Sequence, residues 1–361
     1  MVRNKPIKVC YILSYYSPDY VRTQTLVEGL ARIEAVTVYQ ARNRSTSIFR
    51  YFETLMKLLA VRMKYNPDCY ILGFRGYEIY WPVRLITLGK RLILDHLVSP
   101  FDSLLNERKK IRQGSYLARL IGFYEKWMLK NADAILADTV KHQEHFVSTF
   151  QIDANKIYVI PVSTNEDLFK PQCKKYSDPK NTFQVFFYGT FLPLHGIDIV
   201  VQAASYLSDL PIEFMLVGGR GKDIAFFHHM VAELKLNNVH HRAWIDYNKL
   251  PGVISSADLC LGGPFGNTGQ AGRVITGKTY QFLSMAKPTV IGQIDEETGF
   301  EDKENCLLIE QGNAKALAEA IRWGFEHQPE LESIGKRGHQ LYLNKFSIDK
   351  VSGMLQEMLF P

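Results

Sequence analysis

The chain has 361 residues, 46% of them hydrophobic, with 43 Lys and Arg against 37 Asp and Glu, more than one core comfortably organises, so two globular domains are expected. Five cysteines (Cys10, Cys69, Cys173, Cys260, Cys306) stand far apart without a C-x-x-C pair; they read as reduced core thiols of a cytosolic protein and argue against a disulfide framework or thiolate metal centre. No apolar run approaches the roughly 18 residues of a membrane span, and the basic start leads into an apolar run too short and strand-like for a signal peptide. The charge is uneven, because residues 1–163 carry 24 basic and 14 acidic residues; nucleic acid, an anionic membrane surface or plain solubility would each account for that.

In chain order, short apolar runs alternate with helical periodicity. "IKVCYIL" precedes a helix near "TLVEGLARI", and "VTVYQA" one near "SIFRYFETLMKLLAVRMKY". "CYILGF" leads to "WPVRLITLGK", "RLILDH" to a long helix through "ARLIGFYEKWMLKNA", and then come "AILADT" and "IYVIPV". Residues 164–182 are polar and hold two prolines, an expected linker. The rhythm restarts with "TFQVFFYGT", "IEFMLVGG", "NVHHRAW", "ADLCLGG", "PTVIG" and "NCLLIEQG". Buried strands each followed by a helix predict an α/β chain of two doubly wound parallel sheets, with ligands beyond the strands' carboxyl ends.

Three glycine-rich loops open there: Gly189 and Gly196 around Thr190 and His195, Gly218 and Gly219 before Arg220, and the stretch "GGPFGNTGQAGRVITGKTYQ", which includes Gly266. No carboxylate occurs between Asp258 and Asp295, while Arg273, Lys278 and Lys287 do. Glycine loops opening onto helix starts suit phosphate, through free amides and the helix dipole. None matches G-x-G-x-x-G or the P-loop, which disfavours a standard dinucleotide enzyme or ATPase. No acid pair has D-x-D spacing in a strand-end loop, so no divalent metal and no other cofactor is expected.

The stretches "FYGTFLPLHGIDIVVQAASYL", "FMLVGGRG", "AWIDYNKLPGVISSADLCLGG" and "GKTYQFLSMAKPTVIG", with "NADAILADTVKHQEHF" in the first half, resemble retaining glycosyltransferases of family 4, the group 1 enzymes of GT-B fold. The resemblance covers essentially the whole chain. It implies two Rossmann-like domains facing a central cleft: an acceptor domain over 1–163, a nucleotide-sugar domain over 183–340, and a terminal helix over 341–361 crossing back to the first. It implies a nucleotide-diphosphate sugar donor and a glycan or lipid-linked acceptor in cell-surface polysaccharide assembly. No nucleic-acid partner is expected, and the reduced cysteines place the chain in the cytoplasm; the basic helical segment "RNRSTSIFRYFETLMKLLAVRMKY" suits reversible docking on an anionic membrane face, or is a helix packed on its own sheet with a solvated basic face.

The pattern departs from the family at its polar positions. Where the family carries glycine–arginine and lysine–glycine pairs for the diphosphate, this chain has Gly189-Thr190 and His195-Gly196. The two family glutamates correspond to Arg273 and Gln281, and the first domain's glycine-rich loop is replaced by "YYSPDYVRTQ", which offers Arg22. A branch of the family has a similar histidine–glycine loop, so the departures read as a variant. Cations lost from one loop are then supplied by Arg273 and Lys278; alternatively both are solvated loop and helix-start residues, or Arg273 reads a donor carboxylate.

In the first domain Asp95 ends a buried run beside His96; it orients the acceptor hydroxyl, supports charge at the sugar carbon, or caps the next turn. Tyr15, Tyr16, Tyr77, Tyr80 and Trp81 are candidates for stacking on a sugar or for core packing. Trp244 either lies where the backbone meets the donor base or is a plain core residue. Two other readings remain: a non-catalytic nucleotide-binding subunit, and a nucleotide-sugar epimerase, which would want paired catalytic acids.

Overall fold

The computed structural model describes residues 6–107, 110–172 and 182–360. Cys173 with the rest of residues 173–181 of the expected linker, and Arg108 and Lys109 of the basic run "NERKKIRQ", lie outside the described residues. The chain divides into two compact units, Met1–Ser163 with Ile348–Pro361, and Thr164–Ser347.

In the first unit, β1 (Ile7–Leu13), α1 (Val21–Ala31), β2 (Val36–Arg42), α2 (Arg50–Tyr65), β3 (Cys69–Leu72) and α3 (Tyr80–Ile86) follow one another. Then come β4 (Arg91–Asp95), the short α4 (Pro100–Asp102), α5 (Tyr116–Asn131), β5 (Ala134–Ala137), α6 (Val140–Phe150) and β6 (Ile157–Val159). The six strands are parallel in the order β2-β1-β3-β4-β5-β6. β3 and β5 are buried at every position, as strands covered on both faces must be. Residues of α2, α3, α5 and α6 share one core with Cys10, Ile12, Leu72 and Leu94. Right-handed crossovers send α1 to the opposite face, where Gly29 lets it close on the last helix, α13 (Ile348–Leu359): a Cβ there would lie 2.9 Å from Leu355 Cδ1.

The second unit runs β7 (Phe183–Gly189), α7 (Ile197–Ser205), β8 (Ile212–Gly218), α8 (Lys222–Glu233), β9 (Val239–Arg242), α9 (Leu250–Ser256) and β10 (Leu259–Leu261). It continues with α10 (Gly277–Ser284), β11 (Thr289–Gly292), β12 (Leu307–Ile309), α11 (Ala314–Glu326) and α12 (Gln328–Lys345). Its parallel sheet has the order β12-β11-β10-β7-β8-β9. Both sheets are doubly wound, as the alternating pattern predicts. Their switch points, where successive connections reverse direction, fall between β1 and β3 and between β7 and β10.

The segment 341–361 is not one helix. α12 ends at Lys345, Phe346 leaves the helical region with φ −123°, and its ring packs against Tyr280 and Phe300 with centroids 5.2 and 5.8 Å away. That anchored aromatic separates α12 in the second unit from α13 in the first.

Beneath the carboxyl end of the first sheet, Arg22 is fully buried on α1. Its Nε donates to Asp95 Oδ1 at 3.0 Å, and its Nη1 donates to the carbonyls of Ile160 (2.6 Å) and Pro161 (3.1 Å). One ion pair thus ties α1, β4 and the chain after β6. Asp95→Ala leaves a buried guanidinium without its anion and is expected to cost about 3–5 kcal/mol in urea unfolding. Arg22→Met with Asp95→Leu should recover most of that loss.

Candidate functional site

The second switch point brings the loops after β7 and β10 together backbone against backbone. Gly266 N–H donates to Leu194 O at 3.0 Å, and a Cβ on Gly266 would lie 2.0 Å from Pro193 O. A Cβ on Gly196, itself at φ +64°, would lie 2.5 Å from Gly266 N. On one side, a Cβ on Gly218 would meet Gly189 O at 2.0 Å; on the other, one on Gly292 would meet Pro264 O at 1.8 Å. A side chain fits at none of these places.

This close approach corrects one expectation. The glycine amides were expected to face phosphate, but those of Gly196, Gly219 and Gly266 donate to Pro193, Gly189 and Leu194 carbonyls. The Gly218 carbonyl accepts from His241 Nε2 at 2.9 Å. These glycines shape the floor of the site through the volume they lack. Thr190 is half-buried on the same loop.

Above that floor the structure joins His195 and Lys278. The turn Pro193–His195 sets the imidazole over Gly189, where a Cβ would be 3.1 Å from Nδ1. That nitrogen is buried with no hydrogen-bond partner. Burial first, and the charge of Lys278 second, hold the imidazole well below its ordinary pKa of 6.5, so it is neutral. Lys278, in the first turn of α10, is buried, and its Nζ stands 4.7 Å from the centroid of Phe187. Burial alone lowers its pKa from 10.5 to about 7, with no carboxylate opposing the shift, and the helix dipole also disfavours a cation there. The reading of Lys278 as a solvated helix-start residue is therefore overturned.

Arg273 sits upstream on the turn Ala271–Arg273, half-buried beside Gly269, where a Cβ would be 3.3 Å from Nη1. Gln281 follows Lys278 by one turn of α10; its Nε2 donates to the Tyr247 hydroxyl at 3.3 Å, while Oε1 is buried without a partner. Burial raises that tyrosine to about 12. Trp244 lies beyond β9 and is 76% exposed, so it is not a core tryptophan.

In the first unit, Arg22 is committed to Asp95, so it is not offered to a ligand as the sequence suggested. Asp95 is no cap either, since Ser99 caps the next turn by accepting from Asp102 N at 3.1 Å. Burial raises the Asp95 pKa and Arg22 opposes it; Oδ2 is buried without a hydrogen-bond partner. His96 is buried with Nε2 2.8 Å from Glu125 Oε1. The sequence reading missed Asp138, which follows β5 and accepts from His142 Nδ1 at 2.5 Å. The signal available was an aspartate and a histidine four apart across a helix start. Tyr80 is core and Tyr15 is buried, whereas Tyr16 is exposed and Trp81 stacks on Trp127 at 3.9 Å. Among the described residues, no three His, Cys, Asp or Glu side chains gather as a metal-holding group, and no helix is long and apolar enough to cross a membrane.

Residues 182–327, from β7 through α11, match the family model described as Glycosyl transferases group 1. This segment is similar to group 1 glycosyl transferases. The chain as a whole has the fold of solved glycosyltransferases. It is similar to sucrose-phosphate synthase from Thermosynechococcus elongatus (19% identity, 98% of this chain and 99% of that one, TM-score 0.74). It is also similar to Anabaena HepE, crystallised with UDP and glucose (15%, 98% and 99%, TM-score 0.71), and to a glycosyltransferase from Rickettsia africae (15%, 98% and 98%, TM-score 0.68). No curated protein matches the chain.

In the second unit, Lys278 is a charge kept against its own solvation. Lys278→Met should stabilise the free protein by about 1–4 kcal/mol. The unfolded chain binds more protons than the native one between pH 7 and 10.5, so the wild-type penalty is full below pH 7 and fades as pH rises. The gain from methionine should shrink accordingly, as urea unfolding at pH 6.5 and 9.5 would read out.

Proposed function

We propose that the chain is a retaining, metal-independent glycosyltransferase that moves a sugar from a nucleotide-diphosphate donor to a glycan or lipid-linked acceptor in cell-surface polysaccharide assembly, in the cytoplasm and peripheral on the membrane. Lys278 carries the reading. A buried ammonium over Phe187, without a counter-ion and beside a neutral imidazole, costs free energy until an anion arrives, and a diphosphate supplies one. The transferase family match and a similar fold crystallised with UDP and glucose support that choice of anion.

The chemistry asks little else of the domain. The bond from the sugar's anomeric carbon to the β-phosphate oxygen breaks, the acceptor oxygen bonds to that carbon from the same face, and its proton passes to the departing phosphate. Negative charge grows on the diphosphate as the bond stretches, and preorganised cations meet it. Lys278 and Arg273 stand on one acid-free segment for that purpose. The unpartnered end of the Gln281 amide suits a ribose hydroxyl, where a carboxylate serves in the resembling family.

With cations doing this work, a chelator should leave initial rates within about twofold of untreated enzyme; loss of most activity, restored by manganese or magnesium, would refute metal independence.

Arg273→Ala should slow transfer from every usable donor by a similar factor, on the order of a hundredfold for a lost charge contact. A selective penalty on a uronic acid donor, with nucleoside diphosphate affinity intact in calorimetry, would instead assign Arg273 to the sugar. Lys278→Met should weaken nucleoside diphosphate binding about tenfold to a hundredfold and abolish the proton uptake that accompanies binding above pH 7.

A further inference from the structure

α2 is apolar on two sides. Thr54 and Leu58 are buried, and Tyr51, Leu55 and Val61 pack on the core, which satisfies the fold. A second stripe, Phe49, Phe52, Met56, Leu59 and Met63, recurs at spacings of three and four and is 40% to 79% exposed. The neighbouring helices continue this face. Leu85 and Leu88 are exposed on and just after α3, and Tyr116, Leu120 and Phe123 on α5. The helices are tied side by side by Arg62 Nη2 donating to Leu88 O at 3.2 Å and by the Trp81–Trp127 stack. A contiguous apolar face of this extent is not a feature of an isolated soluble surface.

Its charge selects what covers it. Residues 48–65, 79–91 and 110–131 hold twelve Lys and Arg but two acids, and Arg50, Arg84 and Lys90 pair with Glu78, Asp133 and Asp68 outside those segments. Of the acids, Glu53 is paired with Lys57 at 2.6 Å and Glu125 is fully buried. A second copy of the same face would bring like charges together across a two-fold axis. Nucleic acid would leave the aliphatic and phenyl groups unmatched. Apolar side chains flanked by cations, with an exposed tryptophan at the border, match the boundary between acyl chains and anionic headgroups.

We propose that the outward face of α2, α3 and α5 docks on an anionic bilayer, its apolar stripe entering the acyl boundary while cations beside it, Lys64 and Arg119 among them, meet the headgroups. This names the surface for the peripheral contact proposed above and does not depend on the transferase reading. The full chain should float with phosphatidylcholine vesicles containing phosphatidylglycerol at about 50 mM salt, and release at about 500 mM, where screening is short-ranged. It should not float with pure phosphatidylcholine. Phe49→Ser with Phe52→Ser and Met63→Ser should cut the bound fraction at least about tenfold, and Lys64→Gln and Arg119→Gln about fivefold each. Circular dichroism and the urea midpoint should stay unchanged, because these side chains are exposed.

Equal binding to both vesicle types, absence of binding, or full binding by the triple-serine variant would overturn the proposal. So would a dimer in light scattering that the triple-serine variant abolishes without any vesicle binding, which would assign the face to a second copy. Nucleoside diphosphate binding in solution should be the same in all variants, so failure of the membrane proposal and failure of the transferase reading give different results.

Discussion

Backbone-to-backbone contact across the second sheet is the constraint on which the candidate site depends. The ends of β11, β10, β7 and β8 meet through Gly292 against Pro264, Gly266 against Pro193, and Gly218 against Gly189. Each approach is closer than any Cβ permits, so four loops share one floor. His195 and Lys278 owe their positions to it: the turn that carries His195 is pinned through Gly196 and Gly266, and α10 begins where the loop after β10 returns. Thr276 Oγ1 fixes that return by donating to Gly262 O at 2.6 Å.

On that floor the second unit keeps a cation with unfavourable surroundings, whereas the first unit buries one that is paired with a carboxylate. Arg22 has a carboxylate and two carbonyls; Lys278 has a phenyl ring. The same charge in two environments serves two ends, since a paired ion fixes backbone and an unpaired one favours an incoming partner. The outward stripe of α2 is a third case of the same imbalance, in apolar surface instead of charge.

The fold was legible because buried parallel strands read as short apolar runs, and all twelve strands lie in runs such as "IKVCYIL" and "NCLLIEQG". α6 was harder to see, since its short apolar face, Phe146 and Phe150, is interrupted by His142, which is buried through its pair with Asp138. For the candidate site, the missing carboxylates between Asp258 and Asp295 drew attention to Lys278, which the structure buries with no carboxylate to offset the cost. What the sequence could not reveal was which amides remain free. Glycine marks room for a close approach, but whether that room admits a ligand or a neighbouring carbonyl depends on loops distant in sequence, as with Gly266 and Pro193. Arg22 misled for a related reason: a lone arginine after a strand reads as exposed until Asp95, Ile160 and Pro161 are brought around it.

The glycine floor also bears on how such a domain can change over generations. Its geometry is written in absent side chains and main-chain carbonyls, so the residues standing above it are spared any part in holding it. Arg273 and Gln281 can be exchanged without disturbing the frame beneath. Substrate preference is thereby free to drift by single substitutions, while an insertion or deletion between Gly262 and Gly277 would unseat the whole arrangement at once.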